Sequence, residues 1–157
     1  MSPRAAWRLE SLGFKTVLDY KAGKLDWIAA GLPTEGAQTK KPRAGDLAKK
    51  DAPTCTMGEK LGDVRRRVKD AVVVVNENNV VMGILRYEEL QRDGDLTIEK
   101  AMLPGPSTFR PYVTAGEMAE FMNEHELDSS PITTSDGKLV GLLYRADAVQ
   151  AAEKEAA

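Results

Sequence analysis

The residues best placed to do chemistry lie in one stretch, KLVGLLYRADAVQ, from Lys138 to Gln150. An apolar run (Leu139, Val140, Leu142, Leu143) passes through Gly141 and gives way at Tyr144 to an Ala-rich helix. A strand feeding a helix leaves unpaired backbone N–H groups at the turn, which suits a phosphate. Arg145 stands in that turn, and Asp147 follows it. An ionised Asp only accepts hydrogen bonds, and its two oxygens suit the paired hydroxyls of a ribose. The pattern recurs 58 positions earlier (141 − 83) in VVMGILRYEEL, Val80 to Leu90, where Gly83 matches Gly141. There Arg86 offers a bidentate partner for a phosphate or for a surface carboxylate. Glu89 accepts two hydroxyls one methylene further out.

Other chemistries find little support. The formal net charge of −2 provides no basic field, so nucleic acid is not favoured. Lys40, Lys41, Arg43, Lys49 and Lys50 form a basic cluster, but no aromatic residues interleave for base stacking, and a solvated linker explains it. One cysteine, Cys55, permits no internal disulfide, and one histidine, His125, leaves no Cys/His zinc set. No carboxylate pair or Cys/His dyad marks an active site, so no enzyme is expected. No apolar run approaches the roughly 20 residues of a membrane span. A cytoplasmic protein is the expectation.

The elements that must position these residues form a duplication, and repeats of this length mark supersecondary units. In the first copy Leu61, Val64 and Val68 fall at i, i+3, i+7, predicting an amphipathic helix. The β-branched run from Ala71 to Val75 predicts a strand buried on both faces, Asn76 to Asn79 a turn, and Val80 to Leu85 a return strand. A helix over 87–91 closes the unit. In the second, Thr97 to Met102 is a helical turn and Leu103 to Pro111 an extended segment held by prolines. Thr114 and Glu117 form a capping box, and Ala115, Met118, Ala119 and Met122 the buried stripe behind it. Strands follow at Pro131 to Thr134 and Leu139 to Leu143. Thr54 aligns with Thr108 at an offset of 54, which predicts a shorter helix–strand connection in the first copy. The unit is βαββα, twice.

Before the repeats the chain reads Ser2-Pro3, then a helix with Ala5, Leu9 and Leu12 at i, i+4, i+7 and Gly13 at its end. A strand from Thr16 to Tyr20 and a short helix from Leu25 to Ala30 follow. Pro3-Arg4-Ala5-Ala6, Leu9, Gly13-Phe14, Val17, Tyr20, Ala22-Gly23 and Trp27 through Ala30-Gly31-Leu32-Pro33 resemble the C-terminal end of a rhodanese-like domain. The family's cysteine loop would precede this segment, and Cys55 lies far downstream, so sulfur transfer is not expected. Some 35 residues cannot bury enough surface alone. The apolar face of Trp7, Leu9, Leu12, Phe14, Trp27 and Ile28 is therefore expected to pack on the following domain or on a second subunit.

The repeats resemble a tandem pair of CBS domains, the Bateman module. The second copy carries the resemblance in Ile98, Ala101-Met102, Pro104, Pro106, Thr108, Phe109 and Pro111, then in Pro131-Ile132, Gly137 and Leu139 to Leu143. The resemblance implies an α/β (α+β) fold of two βαββα repeats packed with pseudo-two-fold symmetry, behind a helix–strand–helix appendage. The boundaries expected are 1–36 for the rhodanese-like fragment, 37–44 for a linker, and 45–96 and 97–157 for the repeats. It also implies a non-catalytic regulatory module, a homodimer, and a cleft for AMP, ADP, ATP or S-adenosylmethionine, with no cofactor required. The family's G-h-h-S/T-x-x-D signature is met in part: Gly141 and Asp147 stand, with Tyr144 in the hydroxyl place. Gly83 stands in the first copy, with Arg86 and Glu89 in the other two places. The candidate ligand residues are thus Thr108, Ile132, Gly141, Tyr144, Arg145 and Asp147, then Thr54, Arg86 and Glu89, with the second cleft preferred. The alternative is a ligand-free scaffold for dimerisation or for an unknown protein partner.

Overall fold

A computed structural model describes residues 3–18, 23–29, 32 and 41–156. Its elements are α1 (Pro3–Ser11), α2 (Gly23–Ala29), α3 (Ala44–Leu47), β1 (Thr54–Cys55), α4 (Leu61–Arg67), β2 (Val72–Val75) and β3 (Val81–Leu85). There follow α5 (Tyr87–Leu90), α6 (Ile98–Ala101), β4 (Leu103–Pro104), α7 (Ala115–Glu124), β5 (Ser129–Thr133), β6 (Leu139–Tyr144) and α8 (Arg145–Ala156). The two repeats differ in length chiefly in the helix: α4 has 7 residues and α7 has 10.

The β-branched run makes β2 a strand buried along its whole length, as a strand covered on both faces must be. It lies parallel to β1 and antiparallel to β3, which in turn takes β4 on its other edge. In the second repeat β5 and β6 pair antiparallel, Phe109 bridges to Ile132 in parallel, and Lys49 bridges to Leu142 antiparallel. The two sheets therefore have the same four lanes.

The outer lane of each sheet comes from the other repeat. β4 opens the second repeat yet pairs with β3, and Lys49 precedes β1 yet pairs with β6. The short helices ahead of these lanes are exchanged as well. Ala44 N–H donates to the Val113 carbonyl at 2.8 Å and Ala115 N–H to that of Pro42 at 2.9 Å. The counterparts are Ile98 N–H to Glu59 and Leu61 N–H to Leu96, both at 2.9 Å. Ile98 and Ala101 complete the core of Leu61, Val64, Val72, Val74, Leu85 and Leu90. Ala44 and Ala48 complete that of Met118, Met122, Ile132, Leu143 and Ala148. A third cluster, Val73, Val75, Ile84 and Leu142, joins the sheets face to face. The predicted stripe of Ala115, Met118, Ala119 and Met122 is buried as expected.

The exchanged lanes explain the two glycines. A Cβ on Gly141 would lie 2.7 Å from the Lys49 carbonyl oxygen and 3.1 Å from the Ala48 Cβ. One on Gly83 would overlap the Met102 sulfur and lie 2.9 Å from the Leu103 oxygen. Each second strand thus needs a residue without a side chain where the other repeat's segment crosses it.

The N-terminal segment departs from expectation. Thr16 to Leu18 form no strand, and Asp19 and Tyr20 lie outside the described residues. Ala5, Leu9 and Ile28 are half-buried, but Trp7, Leu12, Phe14 and Leu18 are 65%, 60%, 60% and 81% exposed. The paired repeats do not cover this face. Half of the expected linker, 37–40, lies outside the described residues, and its last position, Ala44, opens α3.

The glycine argument gives a paired test. Gly141→Ala is expected to cost about 1–3 kcal/mol, the usual range for overpacking. Gly116→Ala, in α7 with no atom within 4 Å of the added Cβ, is expected to gain about 0.5–1 kcal/mol. Urea midpoints for both variants check this, and an unchanged midpoint for Gly141→Ala would contradict the close crossing. Cys55 supplies a second test. Burial, then the Glu59 carboxylate, pushes its thiol up to about 12 against the partial opposition of Arg67. A raised folded-state pKa contributes stability below the unfolded value that is lost as pH rises through the folded one. The native thiol should therefore resist a chromogenic disulfide reagent at pH 8 and react on unfolding. The loss of stability between pH 9.0 and about 12 should be shallower in Cys55→Val. Prompt reaction of the native protein would show the thiol to be accessible.

Candidate functional site

The two strand–turn–helix junctions are equivalent in backbone and different in chemistry. At the first, Glu89 is 3% exposed and folds back, so that its carboxylate accepts from the Arg86 backbone N–H at 3.0 Å. Its other oxygen stands 3.8 Å from the Arg92 guanidinium. The expectation that Glu89 accepts ligand hydroxyls is corrected: the extra methylene lets the carboxylate cap its own helix, and burial removes it from any cleft. Arg86 is corrected too. Its guanidinium donates to the Ser129 carbonyl at 3.2 Å, tying the first repeat to β5, and pairs with no carboxylate among the described residues. Its Nε and the Ser130 Oγ are buried with no partner among the described residues.

At the second junction Asp147 remains open. It is half-buried, and no hydrogen bond or ion pair engages its carboxylate among the described residues. It lines a cleft of about 620 Å³ between the exchanged segment Asp46 to Lys49 and α8. Gln150, Ala151 and Lys154 line the same wall, at i+3, i+4 and i+7 from Asp147, one face of the helix. The cleft is bounded by a piece of each repeat and lies outside the sheet–sheet interface, which Val73, Val75, Ile84 and Leu142 close. Lys41 and Glu155 form an ion pair of 2.7 Å, with Glu155 on the rim. Lys154 makes no ion pair among the described residues.

Tyr144 is half-buried and does not line this cleft, but the Lys49 ammonium, which does, stands 4.7 Å above its ring, a cation–π distance. Burial first, then the carboxylates of Asp70, Asp147 and Asp51, raises its phenol above the usual value.

The remaining candidates are dispersed. Arg145 opens α8 paired with the Asp128 carboxylate, and its N–H donates to the Asp128 carbonyl at 2.9 Å. Gly141 lies beneath the crossing Lys49. Ile132 is fully buried in the second core, so its side chain lines no cleft. Thr54 and Thr108 are exposed at matching places on the two leading segments. Sequence reasoning missed Asp46, Leu47, Lys49, Gln150 and Lys154. The helical period from Asp147 points to Gln150 and Lys154. Lys49 and Asp46 arrive through the exchange, which no periodicity in the sequence marks.

Solved structures share this arrangement. The cytosolic domain of the Mg2+ channel MgtE in complex with ATP is 21% identical with a TM-score of 0.65, over 73% of this chain and 51% of that one. This chain thus spans about half the length of that protein's. CBSX2 in complex with AMP is 20% identical with a TM-score of 0.63, over 73% of this chain and 98% of that one. The CBS domain pair of protein MJ0100, in complex with 5′-methylthioadenosine and S-adenosyl-L-methionine, is 15% identical with a TM-score of 0.65, covering 73% and 98%. At these identities the likeness speaks for the fold. A model of the CBS domain matches twice, over residues 44–93 and 95–154. Each match begins at the leading segment that the structure exchanges, so the inherited unit is the one seen in the sequence and the folded unit is mixed. With two matches over most of its length and the fold to go with them, the chain belongs to the CBS domain family.

Proposed function

We propose that this CBS pair is a non-catalytic regulatory module that binds an adenosine-containing ligand in the cleft at Asp147. The observation that carries the reading is the contrast between junctions: Glu89 is buried and used as a cap, whereas Asp147 is open on a cleft of about 620 Å³. An ionised carboxylate accepts from both ribose hydroxyls, and Lys49 and Lys154 supply cations for a phosphate on the walls of the same cleft. Of the ligands in complex with structural neighbours, ATP and AMP bring both the ribose and the phosphate, and S-adenosyl-L-methionine the ribose alone. Regulation follows from where the ligand would sit. It would hold the leading segment of one repeat against α8 of the other, and any difference in affinity between two packings of the repeats would shift their populations. Calorimetric titration with AMP, ADP, ATP and S-adenosylmethionine tests this. Saturable binding is expected, with Kd at least about tenfold weaker in Asp147→Ala for the loss of a charge-assisted pair. No heat and no thermal stabilisation at millimolar ligand would overturn it.

A second reading, a dimerisation scaffold, is favoured by the exposed Trp7, Leu12, Phe14 and Leu18. Apolar side chains gathered in one short segment mark an interaction surface, here assigned to a second copy. In light scattering at tens of micromolar the chain is expected as a homodimer, and Trp7→Ser with Phe14→Ser as a monomer. A monomeric wild type would remove this reading without touching the ligand site.

A further inference from the structure

Because the repeats are copies, a side chain present in one and missing from the other marks the space it would have filled. Arg110 is such a side chain. In the second repeat its Nη1 donates to the Thr133 carbonyl at 3.3 Å, to the Thr133 hydroxyl and to the Thr134 carbonyl. The matching place in the first repeat, 54 positions earlier, holds Thr56, and Val75 and Asn76 match Thr133 and Thr134 at the offset of 58. The backbone of the seat is preserved. Asn79 N–H donates to the Asn76 carbonyl at 2.9 Å where Gly137 N–H donates to Thr134 at 3.0 Å. Asn76 N–H donates to Val80 at 3.0 Å where Thr134 N–H donates to Lys138 at 2.9 Å. Asn79 and Gly137 share the left-handed conformation, with φ of 60° and 80°.

What differs is the occupant. Thr56 is too short to cross the strand end, and an open cleft of about 470 Å³ remains, lined by Thr56, Met57, Gly58, Val75, Asn76 and Glu77. Thr134 shows that a turn carbonyl already accepting one N–H takes a guanidinium on its second lone pair. The first repeat lacks the Thr133 hydroxyl but adds a carboxylate, Glu77, where the second has Ser135. Glu77 is exposed and makes no hydrogen bond or ion pair among the described residues, whereas Glu59 is engaged by Thr56 and Arg67.

We propose that this cleft is a docking seat for the guanidinium of an arginine side chain carried by a partner polypeptide. The chain itself shows the occupant's chemistry in the twin seat, and Glu77 adds complementary charge. The twin seat decides between sources, since its occupant is an arginine held within a polypeptide, whereas free arginine adds an ammonium and a carboxylate that the twin's occupant does not carry. The seat is separate from the Asp147 cleft, so a partner and a nucleotide can bind together.

The test is a two-dimensional amide NMR titration of the full chain with N-acetyl-L-arginine-N′-methylamide, with the matching lysine compound and free L-arginine as comparisons. Saturable shifts are expected at the amides of Thr56 to Gly58 and Asn76 to Asn79, with the lysine compound and free arginine weaker. Glu77→Gln, a surface change that leaves the fold intact, should raise Kd about two- to fivefold, as exposed ion pairs do. Thr56→Arg should abolish the response by filling the seat from within, at a urea midpoint no lower than wild type. Shifts that are absent or scattered, an equal response to the lysine compound, or unchanged binding in both variants would overturn the guanidinium seat. Equal binding of free arginine would overturn the polypeptide occupant.

Discussion

The structure depends on the crossing of each second strand by a segment from the other repeat, made possible by a glycine at the crossing point. Lys49 passes over Gly141, and Leu103 passes over Gly83, each close enough that a methyl group would collide. Backbone lying on backbone at that distance satisfies both chains' polar groups: Lys49 N–H donates to the Leu142 carbonyl and Leu142 N–H to that of Lys49. The two short helices ahead of the crossings are anchored by the same exchange, and each delivers its apolar residues to the other repeat's core. Neither repeat has a complete core alone. A chain of modest size thereby gains long-range contacts that hold two small sheets in one register.

Within that shared frame the duplicated junctions have diverged by single atoms and charges. Asp147 and Glu89 occupy equivalent helical positions, and one methylene separates a carboxylate that faces a cleft from one that turns back to cap its helix. Tyr144 and Arg86 are equivalent as well. The first brings a neutral ring on which Lys49 rests, the second a guanidinium that fastens the repeats together through Ser129. Threonine for arginine at position 56 opens a space that its twin keeps filled. A duplication gives a fold with two sites for every one, and the second member of each pair is free to become structural.

Much of this was legible in the sequence, because the signals were local. The run Val72 to Val75 reads as a buried strand from its β-branched composition, the Thr114–Glu117 box marks a helix start, and the paired glycines reveal the repeat. Of the cleft's lining, Asp147 was legible for the same reason, whereas Gly141 marks the crossing and Tyr144 carries the Lys49 ammonium. The exchange was not legible. The sequence places Ala44 at the end of a linker and Ile98 in a helical turn, with no information on which core would bury either, so Lys49 and Asp46 could not be placed beside Asp147. Glu89 misled because residue type was preserved while reach was not: a longer side chain beside its own helix start finds the backbone N–H before any ligand does. The N-terminal apolar face misled in the opposite sense, since the need for cover is visible in a sequence and the identity of the cover is not.

The exchange also determines how a ligand at Asp147 would act. One wall of the cleft, Asp46 to Lys49, is the leading segment that pairs with β6 and feeds, through Asp51 and Ala52, into β1 of the first sheet. The other wall, α8, is carried by β6 itself. A molecule holding these walls together stiffens the crossing at Gly141, and that crossing is one of the two joints setting the relation of the sheets. At the Gly83 joint Glu89 is instead buried as a cap, and Arg86 ties the joint to β5. The two joints thus differ in what surrounds them, an open carboxylate on a cleft at Gly141 and an internal cap with a cross-repeat hydrogen bond at Gly83. A ligand at Asp147 would therefore act on the joint at Gly141, while the joint at Gly83 keeps contacts supplied by the chain itself, the Glu89 cap and the Arg86–Ser129 hydrogen bond.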